Sequence, residues 1–173
     1  MTISDAETAG DPLSEAQERV RARREAGDRP GLASALVLLS AYLQNAARLD
    51  EATAAALEGV DLYRQLNDQP GLSWALENLA ARHAAAAHFP QAVQAAQERV
   101  HINREAGNRP ALASALITLS AYHQNNSQHD QATTTAQEGT SLYRQLNDQP
   151  GLSWALENLA ARHAAAAHFP QAV

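Results

Sequence analysis

Three of the seven histidines recur at a fixed interval of 40 residues: His83, His123 and His163. Imidazoles in register across a repeat invite metal chemistry. Neighbouring members of such a column, in successive repeat units, would be about 10 Å apart. Zinc ligands lie about 2 Å from their metal, so neighbouring members cannot share one ion. His88 follows His83 by five residues and does not share its helix face. Structural histidines are therefore expected, and no metal site. Glu18, Glu58, Glu98 and Glu138 recur at the same interval, near Arg19, Arg99, Arg64 and Arg144. That is the pattern of a solvated, charge-paired helix face and not of a carboxylate pair working as acid and base. The HExxH, GxSxG, GxGxxG and P-loop patterns are absent from the sequence. The expectation is a non-enzymatic chain with no catalytic residues and no cofactor.

Composition narrows the classes further. There is no cysteine, which excludes disulfides, thiolate metal sites and thiol nucleophiles. The 13 basic residues are all arginine, which excludes Schiff-base chemistry and a P-loop lysine. A net charge of −6 argues against non-specific binding to nucleic acid or anionic lipid. The apolar residues are mostly Ala and Leu, the mixture of close-packed helices. The most apolar run, Leu32–Leu43, is too short and too polar to span a bilayer. The first residues are polar and acidic, unlike a signal peptide. Together these features predict a soluble cytoplasmic protein that contacts neither nucleic acid nor membrane.

The elements that must position any site come in repeats. The segment at Asp28, DRPGLASAL, is echoed at Asp68, Asn108 and Asp148, and residues 63–93 recur without a mismatch at 143–173. An identical block of that length fits a recent duplication or an engineered array. The units alternate in type, and each predicts two helices. The first starts at a Pro preceded two residues earlier by Asp or Asn, which suits the first helical turn and a cap. Leu32, Ala35, Leu36, Leu39 and Leu43 follow at helical spacing. The second starts near Asp50, Pro90, Asp130 or Pro170. It stops at Gly27, Asn67, Gly107 or Asn147, residues tolerant of left-handed backbone. Helices are predicted over 12–27, 30–46, 50–67, 70–87, 90–106, 110–126, 130–147 and 150–167, with no strand. Residues 1–11 are expected to be a disordered tail. Residues 12–173 are expected to form a single array with units of about 14–53, 54–93, 94–133 and 134–173.

Small residues fall where helices must approach: Ser40, Ala80, Ser120 and Ala160 in first helices, and Ala52, Ala92, Ala132 and Ala172 in second helices. Large residues lie between them at Leu49, Phe89, His129 and Phe169. This pattern resembles the tetratricopeptide repeat family, whose standard unit is about 34 residues. The 40-residue units resemble a long variant similar to that of kinesin light chain, and the LENLA segments at 76–80 and 156–160 resemble the LNNLA of that subgroup. The resemblance covers about 12–173. It implies an all-α, right-handed superhelix of helical hairpins whose first helices line a concave, peptide-gripping groove. With Leu32, Leu36, Leu39 and Leu43 buried, Ser34, Val37, Leu38, Ala41, Gln44 and Asn45 are left for that face. The equivalents in later units include Trp74, Glu77, Asn78, Ser114, Ile117, Thr118, Gln124, Asn125, Trp154, Glu157 and Asn158. By resemblance Trp74, Asn78, Trp154 and Asn158 would be the ligand contacts, on a peptide-binding face that also holds Glu77, Ser114, Thr118, Gln124, Asn125 and Glu157. Trp supplies contact area and the Asn amide can pair with an extended backbone. Alternatively the tryptophans fill the space between neighbouring first helices. With no Lys and with Glu77 and Glu157 on the face, a neutral or basic segment is favoured over one ending in a carboxylate.

Two further features follow from the repeats. The apolar side of 150–167, with Leu152, Leu156 and Leu159, has no second helix after it beyond a stub holding Phe169 and Val173. This predicts self-association there and a homo-oligomer. A second chain's N-terminal helix, PLSEAQERVRARREAG, is of the type that would fit. The other reading is a purely structural, self-assembling module without a ligand. Between the first and third units, Leu43 becomes His123, Leu49 becomes His129, Leu57 becomes Gln137 and Val60 becomes Thr140. Each exchange would forfeit about 1.5–3 kcal/mol at a fully buried site, so 120–140 is expected to be locally soft.

Overall fold

Asp28, Asn108, Asp68 and Asp148 each accept a hydrogen bond from the backbone three residues on: Gly31 N at 2.9 Å, Ala111 N at 3.3 Å, Gly71 N and Gly151 N at 3.0 Å. These bonds satisfy an amide that a helix start otherwise leaves unpaired. In the computed structural model, which describes the backbone of residues 11–167 and the side chains of 11–160, the described residues form eight α-helices and no strand. In chain order they are α1 (Pro12–Glu25), α2 (Arg29–Asn45), α3 (Leu49–Gln65), α4 (Gln69–Ala85), α5 (Phe89–Glu105), α6 (Arg109–Asn125), α7 (His129–Leu146) and α8 (Gln149–Ala167). The helices match the sequence expectation to within one or two residues at each end. The tail, Phe169 and Val173 lie outside the described residues, as does the side chain of His163.

The predicted stop residues take left-handed backbone: Gly27 and Gly107 at φ 69° and 63°, Asn67 and Asn147 at 53° and 55°. Ala47, Ala87 and Ser127 do the same at 58–59°, closing the first helices where no Gly or Asn marks the spot. The three second helices after these joints start without a side-chain cap.

The described residues fall into two compact units that divide between Arg82 and His83. In the first, α1, α2 and α3 bury Ala16, Val20, Leu32, Leu36, Leu39, Leu43 and Ala52 in one cluster. Arg82 lies buried near the end of α4 and donates to the Ser40 carbonyl oxygen at 3.1 Å. In the second unit, Ala113 and Ile117 of α6, Tyr143 of α7 and Ala155 of α8 form the corresponding cluster. Small residues let the paired helices close. A Cβ built on Gly59 would meet Val37 Cγ2 at 2.9 Å, and one on Gly139 would meet Ile117 Cδ1 at 2.8 Å. Val37 and Ile117, assigned from the sequence to the open face, are thus fully buried between helices. The small-residue rule holds at Ser40, Ala80, Ser120, Ala52, Ala92 and Ala132, all buried, but Ala160 is exposed.

The repeat-equivalent acids find partners far away in sequence. Glu58 accepts from Arg24 at 2.6 Å, joining α3 to α1, and Glu138 accepts from Arg104 at 2.7 Å, joining α7 to α5. Arg29 to Gln65 and Arg109 to Gln145 repeat the same duplication. Such exposed pairs contribute about 0–1 kcal/mol each, so they fix register more than stability.

Candidate functional site

The identical block carries a Tyr and a Trp eleven residues apart, across the turn from one second helix to the next first helix. In the first unit the Tyr63 and Trp74 rings meet edge to face, with centroids 6.4 Å apart and planes at 76°. In the second unit Tyr143 and Trp154 repeat the contact at 6.5 Å and 77°. The turn glycines make room, since a Cβ on Gly71 or Gly151 would collide with the Tyr ring. Edge-to-face pairs of this kind contribute about 0.5–1.5 kcal/mol beyond area burial.

Each pair extends into a four-residue cluster. The Tyr63 hydroxyl hydrogen-bonds Ser34, whose own hydroxyl donates to the Gly31 carbonyl at 3.0 Å. Tyr143 bonds Ser114 in the same way. Burial, joined for Tyr63 by the Asp68 charge, holds its phenol above the usual range, and burial does so for Tyr143. Both hydroxyls therefore stay protonated as hydrogen-bonding groups. On the far side, Asn78 Nδ2 donates to the Trp74 carbonyl at 3.0 Å, and Asn158 Nδ2 to the Trp154 carbonyl at 2.8 Å. The clusters are Ser34–Tyr63–Trp74–Asn78 and Ser114–Tyr143–Trp154–Asn158. Each is a tryptophan set in place by a tyrosine, with amides and a hydroxyl at its edges.

Each tryptophan packs on a tyrosine of the preceding second helix, not only between neighbouring first helices, and part of its ring stays open. Trp74 is half-buried and Trp154 is 40% exposed. Glu77 is half-buried on the turn after Trp74, and Glu157 is exposed on the turn after Trp154. On α6, Ser114 and Thr118 share a face, with the Thr118 hydroxyl donating to the Ser114 carbonyl at 3.1 Å. Gln124 and Asn125 lie almost two turns further on, half-buried and exposed respectively, and are not drawn into the cluster. In the first unit Leu38 and Tyr42 of α2 stand 40% and 41% exposed, one and two turns beyond Ser34. The sequence reading missed the tyrosines, although their constant spacing from each Trp in the duplicated block carried the signal. A cleft of about 510 Å³ lies elsewhere, beside α1, lined by Gln17, Val20, Arg21, Arg24, Glu25 and Leu39.

The histidines are not gathered. The His83 and His88 rings lie 6.2 Å apart, and burial together with the His88 charge lowers the His83 pKa. His123 is buried, with Nδ1 2.7 Å from Gln128 Oε1. Among the described residues no group of three or more His, Asp or Glu is placed to hold a metal ion. No helix among them is long and apolar enough to cross a membrane. Of the residues expected to self-associate, Leu152 and Leu159 are half-buried and Leu156 is exposed.

Comparison with known proteins agrees with this architecture. No curated protein matches the sequence. The crystal structure of BtubC from P. vanneervenii superposes with a TM-score of 0.75 at 17% identity, over 88% of this chain and 65% of that one, so this chain spans less than two thirds of it. The putative kinesin light chain of nearly identical TPR-like repeats from Podospora anserina gives 0.78 at 15% identity, over 90% and 78%. The apo form of RapI gives 0.79 at 11% identity, over 91% and 44%. At these identities the likeness is one of fold, that of tetratricopeptide-like helical repeats. One family model matches three times in succession, over residues 14–81, 47–119 and 107–164, and so covers nearly the whole array. The chain belongs to the family of that model, described as anaphase-promoting complex subunit 5, a tetratricopeptide-like helical repeat.

Proposed function

We propose that this chain is a non-enzymatic scaffold that binds an extended peptide segment of a partner protein on the open faces of its first helices. We infer also that it self-associates through the exposed face of α8. The observation that carries the first reading is Trp154, held by Tyr143 yet 40% exposed. A large aromatic ring with a fixed orientation offers contact area without losing rotamer freedom on binding, and that is how binding hot spots arise. The Asn158 amide and the Ser114–Tyr143 hydroxyls border the ring with hydrogen-bonding groups. Glu157 adds an exposed negative charge. The segment that fits this chemistry has an apolar or aromatic side chain for the Trp and neutral or basic neighbours for the Glu. A peptide anchored by its terminal carboxylate does not fit, because the Glu157 carboxylate would repel it.

Random-sequence peptides displayed with blocked C-termini and selected on the immobilised chain provide the test. Selected peptides should be poor in Asp and Glu and should bind the purified chain in calorimetry. Trp154→Ala and Trp74→Ala should each weaken that binding about tenfold or more. Peptides whose affinity is untouched by both substitutions would contradict the reading, and so would a selection that returns none.

A further inference from the structure

The joints between helices bring together side chains that helix periodicity keeps apart. At each joint among the described residues, one residue in left-handed backbone turns the chain. The amide that follows it then donates to the carbonyl five residues back, at 2.8–3.2 Å, and closes the helix end. The side chains at those two positions can meet as a result. Arg23 pairs with Asp28 across the joint between α1 and α2. His123 Nδ1 lies 2.7 Å from Gln128 Oε1 across the joint between α6 and α7. His83 and His88 hold the same two positions between α4 and α5. On one continuous helix a spacing of five would put them on different faces. Helix α4 ends at Ala85, however, Ala87 turns at φ 58°, and the His88 amide donates to the His83 carbonyl at 2.8 Å. The two ring centroids come to 6.2 Å, with the planes at 53°.

The two bonded joints match unlike groups, a cation with a carboxylate and an imidazole with an amide. Here two imidazoles face each other. His83 Nδ1 is buried and meets no hydrogen-bond partner among the described residues. His88 is exposed and begins α5 without capping it through its side chain. Each neutral imidazole has one nitrogen lone pair to give, and a divalent transition metal ion accepts both. An ion about 2 Å from one nitrogen of each ring sets the centroids roughly 4.5–6.5 Å apart, according to the angle at the metal. The observed separation falls inside that range. Since no group of three or more His, Asp or Glu is gathered among the described residues, water completes the coordination. The exposed side of His88 leaves room for it. Imidazole ligands with water suit Cu2+ above Ni2+ and Zn2+.

We propose that His83 and His88 chelate a divalent transition metal ion across the α4–α5 joint, with Cu2+ bound most tightly. The identical block repeats the two residues as His163 and His168, whose side chains lie outside the described residues.

The test titrates Cu2+ into the untagged full chain carrying His168→Gln, which removes the repeated pair from the readout. Spin-echo electron paramagnetic resonance should find two imidazoles on the bound ion. In that background, His88→Gln and His83→Leu each install the residue found at the equivalent position of another joint, Gln128 or Leu43. The joint should keep its fold, with circular dichroism unchanged. Each substitution should weaken Cu2+ binding about tenfold or more and lower the imidazole count to one or none. Undiminished affinity in either variant overturns the site, and so does a single imidazole on the ion before either substitution is made.

Discussion

Backbone strain in this protein is concentrated at three residues. Ala47, Ala87 and Ser127 hold φ near 58°, where a Cβ crowds the following carbonyl. The penalty for an L-residue there is about 1–2 kcal/mol. Ala47→Gly and Ser127→Gly should therefore each stabilise the chain by about 1 kcal/mol in urea unfolding, less the added entropy of the unfolded chain. The same substitution in mid-helix would destabilise. A second residue-scale expectation concerns His83, whose pKa is lowered by burial and by the neighbouring His88 charge. The unfolded chain, with a pKa near 6.5, then binds the proton more readily than the folded one. The contribution is complete above about pH 6.5 and is lost as pH falls below it toward the folded value. His83→Gln should flatten part of the fall in urea midpoint between about pH 7.5 and 5.5; an unchanged fall would mean the burial is not felt by the charge. Individual residues were only partly legible in the sequence. Gly27, Asn67, Gly107 and Asn147 announced their left-handed conformation, because their types tolerate it. Ala47, Ala87 and Ser127 did not, since there the tight joint between paired helices overrides propensity. Trp74 and Trp154 were identifiable as candidate contacts, but Tyr63 and Tyr143 were hidden by lying on the preceding helix.

Helices were far more legible than their faces. Leucines at helical spacing and Asp-x-Pro or Asn-x-Pro starts located the first helices, where cap and period agree locally. The second helices were located by Asp50, Pro90 and Asp130 and by their Gly or Asn stops. The choice between buried and open sides failed at Val37 and Ile117. A helix here is sandwiched by two neighbours, so its buried arc is wider than a leucine stripe indicates, and the glycines that receive these side chains lie on the following helix. The four exchanges between the first and third repeats read differently once exposure is known. Leu57 is already exposed, so Gln137 forfeits little. Thr140 is buried with its hydroxyl donating to the Ala136 carbonyl at 2.7 Å, and His123 is bonded to Gln128. Burial of apolar area is still lost at His123 and Thr140, while His129 is exposed where Leu49 is half-buried. The α6–α7 pair should therefore open more readily than α2–α3, and amides of 120–140 should exchange hydrogen faster than those of 40–60. Equal protection of the two segments would show that the side-chain hydrogen bonds make good the loss.

At the scale of the molecule, duplication places one chemical device twice. Each unit holds a Ser–Tyr–Trp–Asn cluster in which a second helix supplies the Tyr and the first helices on either side of it supply the Ser, Trp and Asn. The repeat architecture was legible from the period alone. The partner was not, because groove chemistry depends on which side chains stay exposed after packing.

Fluorine NMR of the chain labelled with 5-fluorotryptophan tests most directly whether the tyrosine-held tryptophans form a peptide-binding face. The two tryptophans give two resonances, assigned with Trp74→Phe. Titration with a display-selected neutral or basic peptide should shift the Trp154 resonance saturably, with a dissociation constant equal to that from calorimetry. If the peptide binds by calorimetry while both resonances stay unmoved, the binding face lies elsewhere and the peptide-binding role of the tryptophans is wrong.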